Sequence, residues 1–145
     1  MQATLALLKP DLLADPRHLP QILSLLHTRQ FLIKSTTHTR LTLQDAQRFY
    51  REHTHKPFFS RLVTYMTSGP LVALALVRPH AISEWRLIIG ASQPVRMRVE
   101  NTQCLRARFG VTDTRNSFHG SDSVESAQSE LEFFFGQRAY DKFLA

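Results

Sequence analysis

Short apolar runs and helix-spaced stripes alternate through this chain. Residues 3–8 (ATLALL) form an unbroken apolar run closed by Lys9-Pro10, which predicts a buried strand. Asp15-Pro16 offers an N-cap followed by proline at the first helical position. Leu19, Ile22, Leu23 and Leu26 then recur at helical spacing to about His27. Residues 30–41 (QFLIKSTTHTRL) are β-branched and partly alternating, so a second strand is expected there. Thr42 can cap the next helix, with Asp45 three residues on and Ala46, Phe49 and Tyr50 on its apolar side. Pro57 opens another helix, in which Phe58, Leu62, Tyr65 and Met66 share a face; Gly69 stands where its C′ residue would fall. Residues 70–78 (PLVALALVR) predict a continuous apolar strand, and 79–89 a helix stopped by Gly90. Residues 91–108 read as irregular. Asp122-Ser-Val-Glu125 has the spacing of a capping box. Val124, Ala127, Leu131, Phe134 and Phe135 stripe the last helix. Helices that separate strands predict an α+β or α/β sandwich, one sheet with helices on one face.

At 145 residues, 43% apolar and 21% charged, the chain has the size and balance of one globular domain spanning 1–145, and a disordered tail or a fibre is excluded. Eighteen Lys and Arg against twelve Asp and Glu leave a net charge of +6, which favours polyanionic partners without choosing among them. The lone Cys104 excludes an intrachain disulfide. No apolar run approaches the roughly eighteen residues of a membrane helix, so no membrane role is expected. Met1-Gln2-Ala3-Thr4 runs straight into strand, without a basic and then apolar leader, so secretion is not expected either.

Five scattered glycines cannot form GxxxxGK[ST] or GxGxxG, which removes the P-loop and the dinucleotide fingerprint. His53-Thr-His55 would hold a metal only on an extended segment, and its surroundings look helical, so surface histidines are the simpler reading. The run from Arg115 through Asn116 and His119 to Ser123 is more informative. It sets a histidine immediately before a polar helix start, whose free N–H groups suit phosphate, and Gly120 leaves room for a ligand. A neutral imidazole is a competent nucleophile toward phosphorus. On spacing alone, a loop histidine that merely bonds to a cap reads the same way. Lys9 can enter a cleft from the end of its strand or snorkel to solvent. Arg86, Arg106 and Arg115 can fork onto phosphate or simply form a solvated basic face. Of Phe58 and Phe59, one ring could stand outside as a platform for a base while the other joins the core.

Taken together, these residues resemble the nucleoside diphosphate kinases along essentially the whole chain. The carrying motifs are Thr4-Leu-Ala-Leu-Leu-Lys9-Pro10-Asp11, then Lys56-Pro-Phe58-Phe59 with Leu62 to Pro70, and above all Arg115-Asn116-x-x-His119-Gly120-Ser121-Asp122-Ser123. Arg48 to His53 and Thr112 to Asn116 are most similar to the divergent sixth type, in group II of the family. The resemblance implies a ferredoxin-like βαββαβ fold with an antiparallel four-stranded sheet. It also implies ping-pong exchange, in which His119 takes the γ-phosphate of a nucleoside triphosphate and passes it to a diphosphate. Glu130 would orient the imidazole. Lys9, Tyr50, Arg86, Arg106 and Asn116 match positions that contact phosphates, ribose or the transferring group, Ser92 falls where the family usually has threonine, and Phe58 and Leu62 match the base clamp. Magnesium would arrive with the nucleotide. A homo-oligomer, dimer or hexamer, and a cytoplasmic location with a mitochondrial option are further implications.

Two departures from the family pattern are legible. The segment between Pro94 and Arg106 is about three residues longer and carries extra arginines, so displacement of Arg106 is one expectation. Asp113 stands at a usually apolar position near the base. The alternative to an active kinase is a weak or inactive kinase-like module that binds nucleic acid or a protein through Arg96, Arg98 and Arg108.

Overall fold

A computed structural model describes residues 1–145. Its centre is a four-stranded sheet of order β2-β3-β1-β4, every neighbour antiparallel, as in a ferredoxin-like α+β fold. β1 (Gln2–Leu8) and β3 (Leu71–Arg78) lie in the middle and β2 (Leu32–Thr39) at one edge. At the other edge is β4, only Phe118–Gly120, which pairs Leu7 with His119 and Leu8 with Phe118.

Helices cover both faces of the sheet, not one as the sequence predicted. Leu5, Leu7, Ala73 and Ala75 point into one core, with side chains from α3 (Leu43–Phe49), α4 (Phe59–Met66), α8 (Val124–Phe135) and α9 (Ala139–Leu144). Ala6, Leu8, Val72 and Leu74 point into the other, beneath α2 (His18–Thr28) and α5 (Ala81–Ile89). The two central strands are therefore buried at every position but Gln2 and Arg78, which is why they read as unbroken apolar runs rather than alternating ones. No helix is long and apolar enough to cross a membrane.

Several boundaries differ from expectation, each for a local reason. A one-turn helix α1 (Pro10–Leu13) precedes α2, which starts at His18 rather than Asp15-Pro16. Asp15 is occupied by Arg17, whose amide and guanidinium both bond to its carboxylate. α4 starts two residues beyond Pro57 and ends at Thr67 in right-handed backbone, so Gly69 is not its C′ residue. Residues 91–108 are not irregular: they hold α6 (Pro94–Glu100) and α7 (Leu105–Phe109). Their inward stripe is short, with Met97, Leu105 and Ala107 buried, too little to register as a period. Thr42 does cap α3, accepting the Asp45 amide. The cap of α8 is displaced by one residue from the expected box: Ser123 accepts the Ser126 amide, and Asp122 accepts the Ser126 hydroxyl.

Candidate active site

His119 lies inside β4 rather than on a loop against a helix start. Four residues separate it from the first residue of α8. Because it pairs with Leu7, its side chain points to the α3–α8 face. There Nε2 bonds to Glu130 Oε1 of α8 at 2.8 Å. A carboxylate accepts, so Nε2 carries the proton and Nδ1, which makes no hydrogen bond of its own, keeps its lone pair. The same Glu130 oxygen accepts the Ser121 hydroxyl at 2.7 Å, and Ser121 Oγ accepts the Leu5 amide of β1 at 3.1 Å. Glu130 is thereby anchored to the sheet. Phe49 stands edge-on to the imidazole, its centroid 5.6 Å away.

Side chains also fix the outer edge of β4. Arg106 Nη2 donates to the Phe118 carbonyl at 2.7 Å, Trp85 Nε1 to that of His119 at 2.9 Å, and Arg86 Nη1 to that of Gly120 at 3.3 Å. Gly120 lies on the cavity and also serves this packing: an added Cβ would stand 2.7 Å from Trp85 Cδ1.

The imidazole opens on a cavity of about 660 Å³. Tyr50, Arg86, Ser92, Arg106 and Glu130, all singled out from the sequence, lie on its wall. Arg106 is not displaced by the longer segment before it. Its Nη1 bonds to the Gly90 carbonyl at 2.5 Å, while its Nε is buried without a partner. Burial first, and then Arg86, lower its pKa to about 10, so it stays cationic at neutral pH. The Tyr50 hydroxyl is likewise buried and unpartnered; burial, with Glu130, pushes its pKa up and keeps its proton on. The two unpartnered atoms give the wall unused donors.

Lys9 and Asn116 lie behind this wall, joined by a bond of 2.9 Å from Nζ to Oδ1. Asn116 Nδ2 reaches the Ser92 carbonyl, which ties the pair to the wall residue. Burial, and then Arg106, bring the Lys9 pKa down to about 7, although Asp11 opposes them. Between Asn116 and β4 the chain turns through Ser117 at φ 73, with the Phe118 amide on the Asn116 carbonyl at 2.9 Å. That is a γ-turn of the rare left-handed kind, strained by about 1–3 kcal/mol for a residue with a side chain.

Phe58 and Leu62 do not line the cavity. Leu62 and Phe59 pack on the core, and Phe58 is half-exposed against His53. His53 itself is on the wall, with Nδ1 buried and unpartnered, a place the sequence reading did not give it. It follows Tyr50 by three residues, one helical step on the same face, and that spacing was the available signal. Asp122 is also on the wall; the Ser126 hydroxyl holds its pKa below the usual carboxylate range.

The three arginines of the alternative binding reading make contacts within the chain. Arg96 bonds to Glu100 and Gln93. Arg98 ties α6 to the end of α7 through the Ala107 and Gly110 carbonyls. Arg108 rests its guanidinium over Phe109.

A family model for nucleoside diphosphate kinase matches residues 2–140. Nucleoside diphosphate kinase 6 of Danio rerio is 40% identical, over 99% of this chain and 82% of that protein. A nucleoside diphosphate kinase of Histophilus somni (strain 2336) is 39% identical over 94% of each. An orthorhombic crystal form of the Aquifex aeolicus nucleoside diphosphate kinase superposes with a TM-score of 0.88 at 39% identity, covering 92% of this chain and 94% of that one.

Proposed function

The chain belongs to the nucleoside diphosphate kinase family, and from that premise we propose that it moves a γ-phosphate from a nucleoside triphosphate to a diphosphate through phosphohistidine at His119. One observation carries the reading: Glu130 fixes the ring through Nε2 and leaves Nδ1 unengaged at the wall of a cation-lined cavity. In the first half-reaction the Nδ1 lone pair forms a bond to the γ-phosphorus, the bridging P–O bond breaks, and the diphosphate leaves with that electron pair. In the second, a terminal oxygen of another diphosphate attacks the phosphorus and the N–P bond breaks, returning the lone pair to Nδ1.

Positioning and charge neutralisation dominate such transfers. Arg86 and Arg106 face the phosphates from the wall, the Tyr50 hydroxyl supplies an unspent donor, and Lys9 with Asn116 meets charge gathering on the transferred group. Ser92 replaces a threonine hydroxyl with its own. Phe58, beside His53, is the proposed stacking face for the base with Leu62; contact of that kind discriminates little among bases. No three His, Cys, Asp or Glu side chains cluster to cage an ion. Magnesium would therefore arrive as part of the nucleotide and offset the charge of the phosphates that hold it. Arg96 and Arg98, already bonded within the chain, give the nucleic-acid reading little to stand on.

Incubation with γ-labelled ATP is expected to label the protein through an acid-labile, base-stable bond, and the label should chase onto added GDP. A protein that binds ATP yet never takes up label would overturn the reading.

Lys9 adds a pH signature. Its folded pKa of about 7 lies below the model-peptide value of 10.5. In the free protein the burial penalty is thus full below the folded value and relieved as pH rises toward the unfolded one. Polyphosphate beside it raises that pKa again. Binding of ADP at pH 8 should accordingly take up close to one proton per site. Calorimetry in two buffers of different ionisation enthalpy reads this directly, and a zero or negative uptake contradicts it.

A further inference from the structure

Ser117 is held twice at its left-handed turn. Its carbonyl accepts the Lys9 amide at 2.9 Å, and its hydroxyl donates to Asp11 Oδ2 at 2.6 Å. The other Asp11 oxygen accepts the Tyr65 hydroxyl, whose oxygen in turn accepts the Asp11 amide at 3.2 Å. Ser117 is fully buried. Glycine would adopt the same φ without steric penalty; what glycine lacks is the hydroxyl. A serine in glycine's conformation, with that hydroxyl committed to a half-buried carboxylate, points to a use for the hydroxyl beyond the turn.

We propose that Asp11 and Ser117 form a positioning clasp that fixes Asn116 against the Lys9 ammonium and so holds the cation behind the cavity wall, where its charge acts on the migrating phosphate. The proposal rests on the phosphotransfer reading above. Asp11 lies two residues beyond Lys9, and Ser117 one beyond Asn116. The Ser117–Asp11 bond and the 2.9 Å Lys9–Asn116 bond therefore close a ring between the end of β1 and the entry to β4. If either segment swings, both bonds break. The surrounding charges agree with this arrangement. Burial first, and then the charge of Arg106 in α7, lower the Lys9 pKa, while Asp11 raises it. Burial pushes the Asp11 carboxyl up, and Ser117 and Lys9 hold it back. Tyr65 of α4 and Arg115 border Asp11 on its outer side.

The test titrates Lys9 by NMR of the lysine Cε carbons in the full chain, for wild type and Asp11→Asn, alongside turnover of wild type and Ser117→Gly. Asp11→Asn removes the charge that supports Lys9, so the Lys9 midpoint should fall below its wild-type value of about 7. Ser117→Gly suits the turn and keeps the fold. Its kcat should nonetheless drop by about 10- to 100-fold with a smaller change in KM, because the cation is no longer held in place. A serine serving only the turn would leave kcat intact in Ser117→Gly. An unmoved Lys9 midpoint in Asp11→Asn, or wild-type kcat in Ser117→Gly, overturns the clasp. A wild type that transfers no phosphate sinks the phosphotransfer reading instead, and the Lys9 midpoint still decides the clasp.

Discussion

His119→Ala is expected to abolish the phosphoenzyme and to lower phosphate exchange by about 10⁴-fold or more, while the protein stays folded. The imidazole supplies the bond-forming electron pair, and its neighbours are poor substitutes: the Tyr50 hydroxyl is held protonated by burial, the His53 Nδ1 is itself buried, and Cys104 lies in another cluster. Loss of a covalent nucleophile removes the two-step route itself, which is why effects of that order are the rule. Stability should change little, because the His119 side chain keeps 20% of its surface exposed and sits at the cavity wall. A labelling assay read beside a thermal melt separates the two effects. Residual exchange above about 1% in a folded His119→Ala protein would show that the phosphate travels by another path.

Gly90→Ala should be the most damaging small substitution for stability. Gly90 ends α5 at φ 81, ψ −174, a region essentially confined to glycine. An added Cβ would stand 2.4 Å from Cys104 Sγ and 2.9 Å from Cys104 Cβ, so α7 would have to move. Backbone strain and overpacking of about 1–3 kcal/mol each combine to several kcal/mol, a fall in Tm of about 10 °C for a chain of this size. The Gly90 carbonyl also anchors Arg106, so exchange should fall at temperatures where the variant is still folded. Adding Cys104→Ala should recover the share due to Sγ and leave the Cβ contact and the backbone part. A melting temperature within a degree or two of wild type would refute the clash.

The strands and the long amphipathic helices were legible because burial imposes a period or an unbroken run. β1, β3 and the stripe of α8 were read nearly to the residue. α6 and α7 were not, since each turns only one or two side chains inward and leaves Val95 and Val99 exposed. β4 escaped for another reason. Strand periodicity needs several residues to register, and its span of Phe118–Gly120 offers one inward and one outward side chain between them. In the candidate site, Lys9 bonds to Asn116 and His119 to Glu130 of α8; the second pair lies on the cavity wall and the first behind it. His53 was missed because its partners are spatial: a half-exposed Phe58 and a cavity formed mainly by distant segments. The packing role of Gly120 was not legible because the indole that fills its vacant side lies 35 residues earlier, at Trp85.

The brevity of β4 raises a problem that its capped carbonyls answer. A ladder of three residues resists sliding only weakly, and a slip of one position would swing the imidazole to the opposite side of the sheet, toward the α2–α5 core and away from Glu130. Sliding would have to break three side-chain bonds at once, from Arg106, Trp85 and Arg86. The handedness of the nucleophile, toward one face and not the other, is thus guarded by an indole and two guanidinium groups rather than by strand length.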